Sequence, residues 1–196
     1  MASELIVQTL RGPASGANAN KIIVPSGQTL DASAGFVPPA GAVVQVATSN
    51  KTIGNAGSGA DLGSVTISVT GGYSTAYVLH SIAFTPKYST SLVLLQLSCA
   101  AQIGSSGACG INTFFGKDGS NILSSGGSSD CIMFTYSSNA ISDEYRSISA
   151  QWAFTAGQTA QMILDARISS YSSGTPGTIH LQHDGTTSFS IMEIAQ

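Results

Sequence analysis

The sequence predicts an all-β protein: a short N-terminal β stem followed by an antiparallel β-sandwich, jelly-roll-like and homotrimeric. Three observations carry this. Helical periodicity is nearly absent, and from Ser64 onward short runs with period-two alternation are separated by Gly, Ser and Asn turns. The stretch Asn20 to Ser33, NKIIVPSGQTLDAS, holds two extended fragments too short to bury Ile22, Ile23, Val24 and Leu30 by themselves. And only 9% of residues are charged, against roughly 25% in a typical soluble protein. Ser, Thr, Asn, Gln and 22 glycines carry the polarity instead. A surface so poor in charge is expected to lie partly between subunits, and copies of the chain wrapped about a shared axis would bury the stem.

In chain order, Glu4 to Leu10 alternates weakly, Gly12 and Pro13 stop it, and GPASGANAN reads as a connector. Lys21 to Val24 is a short strand ended by Pro25, which has no donor for a sheet ladder. Ser26 and Gly27 turn, Gln28 to Leu30 extend again, and Asp31 to Ser33 close the motif. FVPPAG, Phe36 to Gly41, is a stiff hinge. Residues 1–41 thus form an attachment and trimerisation stem, and residues 42–196 a sandwich knob.

The knob opens with a strand at Ala42 to Ala47, and Ser49 to Gly63 reads as an exposed loop. Nine further strands are expected: Ser64 to Val69, Thr75 to Phe84, Ser91 to Ala101, Cys109 to Phe115, Asp130 to Tyr136, Arg146 to Phe154, Ala160 to Ser169, Thr178 to His183 and Thr187 to Ala195. In one, Ile148, Ala150, Trp152 and Phe154 oppose Ser147, Ser149 and Gln151. In another, Ala160, Met162, Leu164, Ala166 and Ile168 oppose Gln161, Asp165, Arg167 and Ser169. One polar face marks a half-exposed antiparallel sheet. Leu92 to Leu97, LVLLQL, is apolar on both faces and belongs at a sheet centre or a subunit interface. In the last strand the apolar pattern moves from Phe189 and Ile191 to Met192 and Ile194. That implies a bulge or burial of both faces at a trimer axis, the latter favoured, with Glu193 needing hydrogen-bond partners.

Three of these stretches resemble a known family. GANANKIIVPSGQTLDAS is similar to the stem repeat of tail fibres and other virion proteins of tailed bacteriophages, especially marine and cyanobacterial ones. HSIAFTPKYSTSLVLLQLS resembles the start of a C-terminal fibre domain in those proteins, and SFSIMEIAQ their last strand. The resemblance implies a homotrimer with a β stem and a β-sandwich knob, housed in the virion and assembled in the host cytoplasm. As a tail fibre or receptor-binding protein it would attach through its N-terminal segment to another virion protein and touch a host-surface glycan or protein. A capsid decoration protein, seated at local three-fold axes, is the alternative. Many such fibres have longer stems or an anchoring domain, whereas the expected anchor here is at most about 35 residues, which suits a short fibre, a tip or a decorating knob.

No chemistry of catalysis is expected. Asp143, Glu144 and Arg146 form the only charge cluster, in the loop SSNAISDEYR, and read as a solvated turn. GNAGSG and SSGGSS lack the lysine and helix of a phosphate loop. His180 and His183, three apart on a strand, point to opposite faces and cannot chelate one ion within a chain; His80 reads as a satisfied sheet residue. No enzyme, cofactor or metal is expected. Seven scattered basic residues and a net charge of −3 exclude a phosphate-tracking surface, so no nucleic-acid partner is expected. No run reaches the roughly 18 apolar residues of a membrane helix, and the N-terminus lacks a signal-peptide pattern. Cys99, Cys109 and Cys131 read as buried thiols, with one Cys109–Cys131 bridge the alternative. Receptor-contacting residues are not fixed by any motif; Tyr73, Tyr77, Tyr88, Tyr136, Tyr145 and Tyr171 are the candidates, since exposed rings stack on sugars.

Overall fold

A computed structural model describes residues 15–16, 26, 38–53, 65–67, 71–105, 109–123, 130–138, 141–172, 178–181 and 185–196. The stem strands expected at Lys21 to Val24 and Gln28 to Leu30, and the alternation at Glu4 to Leu10, lie outside these residues. The chain divides into two compact units, Met1–Val37 and Pro38–Gln196. Pro38 to Gly41 belong to the second. Gly41, at φ 84°, donates its N–H to the Ala195 carbonyl at 2.8 Å and Ala195 donates to Ala42 at 2.9 Å.

The second unit is all β among its described residues. Its strands are β1 Val43–Ile53, β2 Val65–Ile67, β3 Tyr77–Phe84, β4 Leu92–Ser105, β5 Cys109–Lys117, β6 Ser120–Asn121, β7 Met133–Ser137, β8 Ile141–Thr155, β9 Met162–Ser172, β10 Thr178–Leu181 and β11 Gly185–Ile194. They form two antiparallel sheets. In the first, β1, β11, β4 and β8 lie side by side, and β10 and β2 extend the β11 side of β4. In the second the order is β3, β9, β5, with β7 and β6 sharing the far edge of β5. Leaving aside the short strands β2, β6 and β10, the order β1-β11-β4-β8 over β3-β9-β5-β7 is the winding of a jelly roll.

The core follows from the alternation. Val93, Leu95, Leu97, Ile148, Phe189 and Ile191 point inward from the first sheet, and Ile111, Phe115, Met162, Leu164 and Ile168 from the second. Phe115 and Phe189 stack across the interior at 5.7 Å between centroids. LVLLQL is central, as its two apolar faces required: β4 is flanked by β11 and β8. β11 pairs with β4 in unbroken register from Ser188 to Ile194, so no bulge accounts for the shifted apolar pattern there. Phe189 and Ile191 face the core, while Met192 and Ile194 stand half-buried on the outer face.

Glu193 is wholly buried. Its carboxylate accepts from the backbone N–H groups of Lys87 at 2.9 Å and Tyr88 at 3.0 Å, and from the Gln45 amide at 2.6 Å. Burial alone would raise its pKa, but these donors hold it below the usual carboxylate range.

Three expectations need correction. Ser49 to Ile53 are strand, not loop: they continue β1 against Phe189 to Gly185, and their polarity reflects an edge strand whose outer face meets water. Ile141 to Tyr145 likewise belong to β8 rather than to a turn: Ile141, Glu144 and Tyr145 pair with Ser105, Ile103 and Gln102 of β4, and Asp143 lies at the register shift between them. Finally, the outer face of β9 is not solvated throughout. Asp165 and Ser169 are buried there beneath residues 71–76, whose Gly71 carbonyl accepts from the Ser169 hydroxyl at 2.8 Å. None of the three cysteines forms a disulfide. Cys109 is in the main core and Cys131 packs on a separate cluster of Tyr73, Ala76 and Phe114, so the two thiols have no common site in which to pair.

Candidate functional site

The six tyrosines separate sharply. Tyr73 is buried, Tyr77 and Tyr88 are half-buried, and Tyr145, on β8, is 57% exposed and outside the clusters described below. The Tyr73 hydroxyl donates to Asp165 at 2.9 Å, and Arg167 grips the same carboxylate through Nε and Nη2, both at 3.0 Å, with its guanidinium 4.0 Å from the Tyr73 ring centroid. Burial and the neighbouring Asp165 charge push the Tyr73 phenol well above its ordinary pKa. This is a staple that pins residues 71–76 to the sheet. Its tyrosine is not offered to a ligand.

Tyr136 and Tyr171 are brought together, and they acquire a partner that the tyrosine pattern did not include: Phe134. Alternation on β7 puts Phe134 and Tyr136 on one face, and β5 places Gly110 between Tyr136 on one side and Tyr171 on the other. Gly110 has no side chain to separate the rings, and none fits, because a Cβ there would run into the Thr135 backbone carbonyl. Phe134 and Tyr136 stack at 5.8 Å with planes 20° apart, and Tyr171 stands edge-on to both at 5.0 and 5.8 Å. Phe134 is 47% exposed and Tyr136 43%. One row along, Asn112 sits between Phe134 and Ser169; it is buried, and its Oδ1 has no partner among the described residues.

Three interlocked rings, two nearly half open to solvent on a sheet surface, form an aromatic cluster with Tyr171 edge-on to the other two. Exposed rings of this kind stack on the C–H face of a pyranose, with little side-chain entropy left to lose.

Other candidates do not assemble. His80 faces the core from β3, with Nδ1 3.0 Å from Ser49 Oγ and Nε2 3.1 Å from Thr187 Oγ1. Burial, aided by Lys51, lowers its pKa to about 4, so it is neutral at physiological pH. His180 lies in β10, its side chain and all of His183 falling outside the described residues. Among those residues no three His, Cys, Asp or Glu side chains gather as a metal site, and no helix is long and apolar enough to cross a membrane.

The outer face of the first sheet has a different character. Every outward position of β4 from Leu92 to Ala100, of β8 from Ser147 to Thr155, of β11 from Thr186 to Ile194 and of β1 from Val46 to Thr52 is uncharged. At one end the row Val46, Met192, Leu94 and Ala153 is apolar, and Val46 is 58% exposed. Further along, Ser98, Ser149 and Ser188 leave a shallow trough rimmed by Gln96, Gln151 and Ser190. The chain matches no protein-family model and no curated protein.

Proposed function

We propose that this is a virion structural protein of a tailed bacteriophage: a homotrimeric tail fibre or receptor-binding protein whose sandwich contacts a host-surface glycan. The observation that carries the contact is the Phe134–Tyr136–Tyr171 platform, an exposed aromatic cluster on the outer face of the second sheet. Each such contact is weak, and several fibres per particle supply avidity.

The trimer is supported by the uncharged outer face of β1, β11, β4 and β8. Four strands about 4.8 Å apart and about nine residues long span roughly 600 Å² in projection, close to the about 800 Å² per partner of a standard interface. Copies that turn this face to a common axis bury apolar surface and no charge. In this reading residues 1–37 form the stem and seat the protein on another virion component.

Labelled protein incubated with host cells tests attachment. Saturable binding that Tyr136→Ala and Tyr171→Ala abolish, with folding intact, is the expected result. Absence of binding to any host strain contradicts it. Labelling of intact particles then separates a tail fibre from a decoration protein, which would place the signal over the head.

A further inference from the structure

The protein's single tryptophan stands in a cleft distinct from the tyrosine platform. β8 is the outer strand of its sheet, so its inward-facing Trp152 and Phe154 look past the rim of the core toward β6 and the end of β5. The cleft between them measures about 440 Å³ and is lined by Lys117, Ser120, Asn121, Ile122, Trp152 and Phe154, with Ala153 on its rim.

Its walls are fixed. The hairpin joining Lys117 to Ser120 turns through Asp118 and Gly119 at φ 52° and 80°, the two positive values a tight primed turn requires. Asn121 is held by its own bonds, Nδ2 donating to the Asp130 carbonyl at 3.0 Å and Oδ1 accepting from the Leu123 N–H at 3.1 Å.

Phe154 is half-buried against the core, but Trp152 is 39% exposed. The Lys117 ammonium lies 5.3 Å from the Phe154 ring centroid, and no carboxylate pairs with it among the described residues. The nearest acid in sequence, Asp118, turns the other way: its Oδ1 accepts from the Ile163 N–H at 2.8 Å. A cation held over an aromatic ring with no counter-ion among the described residues, beside an open indole and a hydroxyl, presents complementary groups to one chemical class. The indole takes a pyranose face, the ammonium a carboxylate, and Ser120 a ring hydroxyl.

We infer that this cleft is a binding site for an acidic saccharide, a uronic or sialic acid unit whose carboxylate meets Lys117 and whose ring lies on Trp152. The inference deepens the glycan-attachment reading and rests on it for the biological source of the sugar, but not for the chemistry of the cleft.

The lone tryptophan makes the test direct, because its emission reports on this cleft alone. The purified full chain is titrated with N-acetylneuraminic acid and with oligogalacturonate, and with maltotriose as the neutral control. The expected result is a saturable change in Trp152 emission with at least one acidic sugar and none with maltotriose. Lys117→Gln, an exposed-end substitution checked by circular dichroism, weakens that binding at least tenfold, and raising salt from 0.05 to 0.5 M weakens it in the wild type. No emission change with either acid at 10 mM overturns the inference, as does equal binding of the neutral sugar or full affinity in Lys117→Gln. Cell binding that persists in Lys117→Gln while the titration fails would refute the cleft and leave the attachment function standing.

Discussion

Removing the carboxylate of Asp165 should be among the most costly single changes on the outer face of the second sheet. The side chains of Asp165 and Arg167 are 5% and 16% exposed, so Asp165→Ala leaves a mostly dehydrated guanidinium without its counter-ion and Tyr73 without its acceptor. Breaking a buried pair from one side costs about 3–5 kcal/mol. Arg167 retains the Tyr73 ring and the Tyr73 carbonyl at 3.3 Å, which places the loss near the lower end, about 3 kcal/mol. For a domain of this size that lowers Tm by about 6–12 °C. Thermal unfolding followed by circular dichroism measures it. In a double-mutant cycle, Arg167→Met should recover part of the loss, because the stranded cation is gone, giving a coupling of at least 1 kcal/mol. If Asp165→Ala melts within about 1 °C of the wild type, or the two losses simply add, the staple does not hold residues 71–76 as described.

Gly116→Ala should be as damaging by a different route, since the new methyl would meet the Tyr73 hydroxyl and the Asp165 carboxylate; lost near-ultraviolet dichroism from Tyr73 would report it. Stability should fall between pH 6.5 and about 4. His80 keeps a pKa of about 4 when folded, so across that window the unfolded chain takes up a proton the native protein refuses, at a cost of about 3 kcal/mol. Glu193, held below its ordinary range, adds its loss only at lower pH. Urea titrations at pH 7 and pH 4 measure the drop, and His80→Gln should flatten it. Cys99, pushed up to about 11 by burial, should resist a thiol reagent at pH 8 while half-exposed Cys131 reacts; simultaneous reaction of all three would contradict the packing.

The sandwich was legible because period-two alternation is a direct image of which side of a strand meets the core. The pattern Ile148, Ala150 opposite Ser147, Ser149 and the two-faced LVLLQL each find their expected places. It misled where neighbours override local polarity. Asp165 reads as surface, and only the non-local arrival of Tyr73 and Gly71 buries it. Ser49 to Ile53 and Ile141 to Tyr145 read as loop because edge positions tolerate polar residues that a central strand would not. β6 was missed although Asp118-Gly119 between Lys117 and Ser120 is a strong hairpin signal; two-residue strands carry no periodicity to reveal them.

The candidate sites were less legible for the same reason. Tyr136 and Tyr171 stood out as tyrosines, but nothing local joins residues 35 positions apart, and Phe134 entered only through the register of β7 on β5. Gly110 was the available signal: a glycine within a strand marks close approach or ring packing across it. Trp152 read as one more inward residue of its strand, because alternation says which face a side chain takes and not where the opposing sheet ends.

Host-cell binding of the platform variants is the measurement closest to the central claim. Wild-type protein should bind saturably, elute at three times the 19.9 kDa protomer mass, and lose cell binding but not mass in Tyr136→Ala/Tyr171→Ala. A double variant that binds cells as tightly as the wild type, or a wild type that sediments as a monomer, would contradict it.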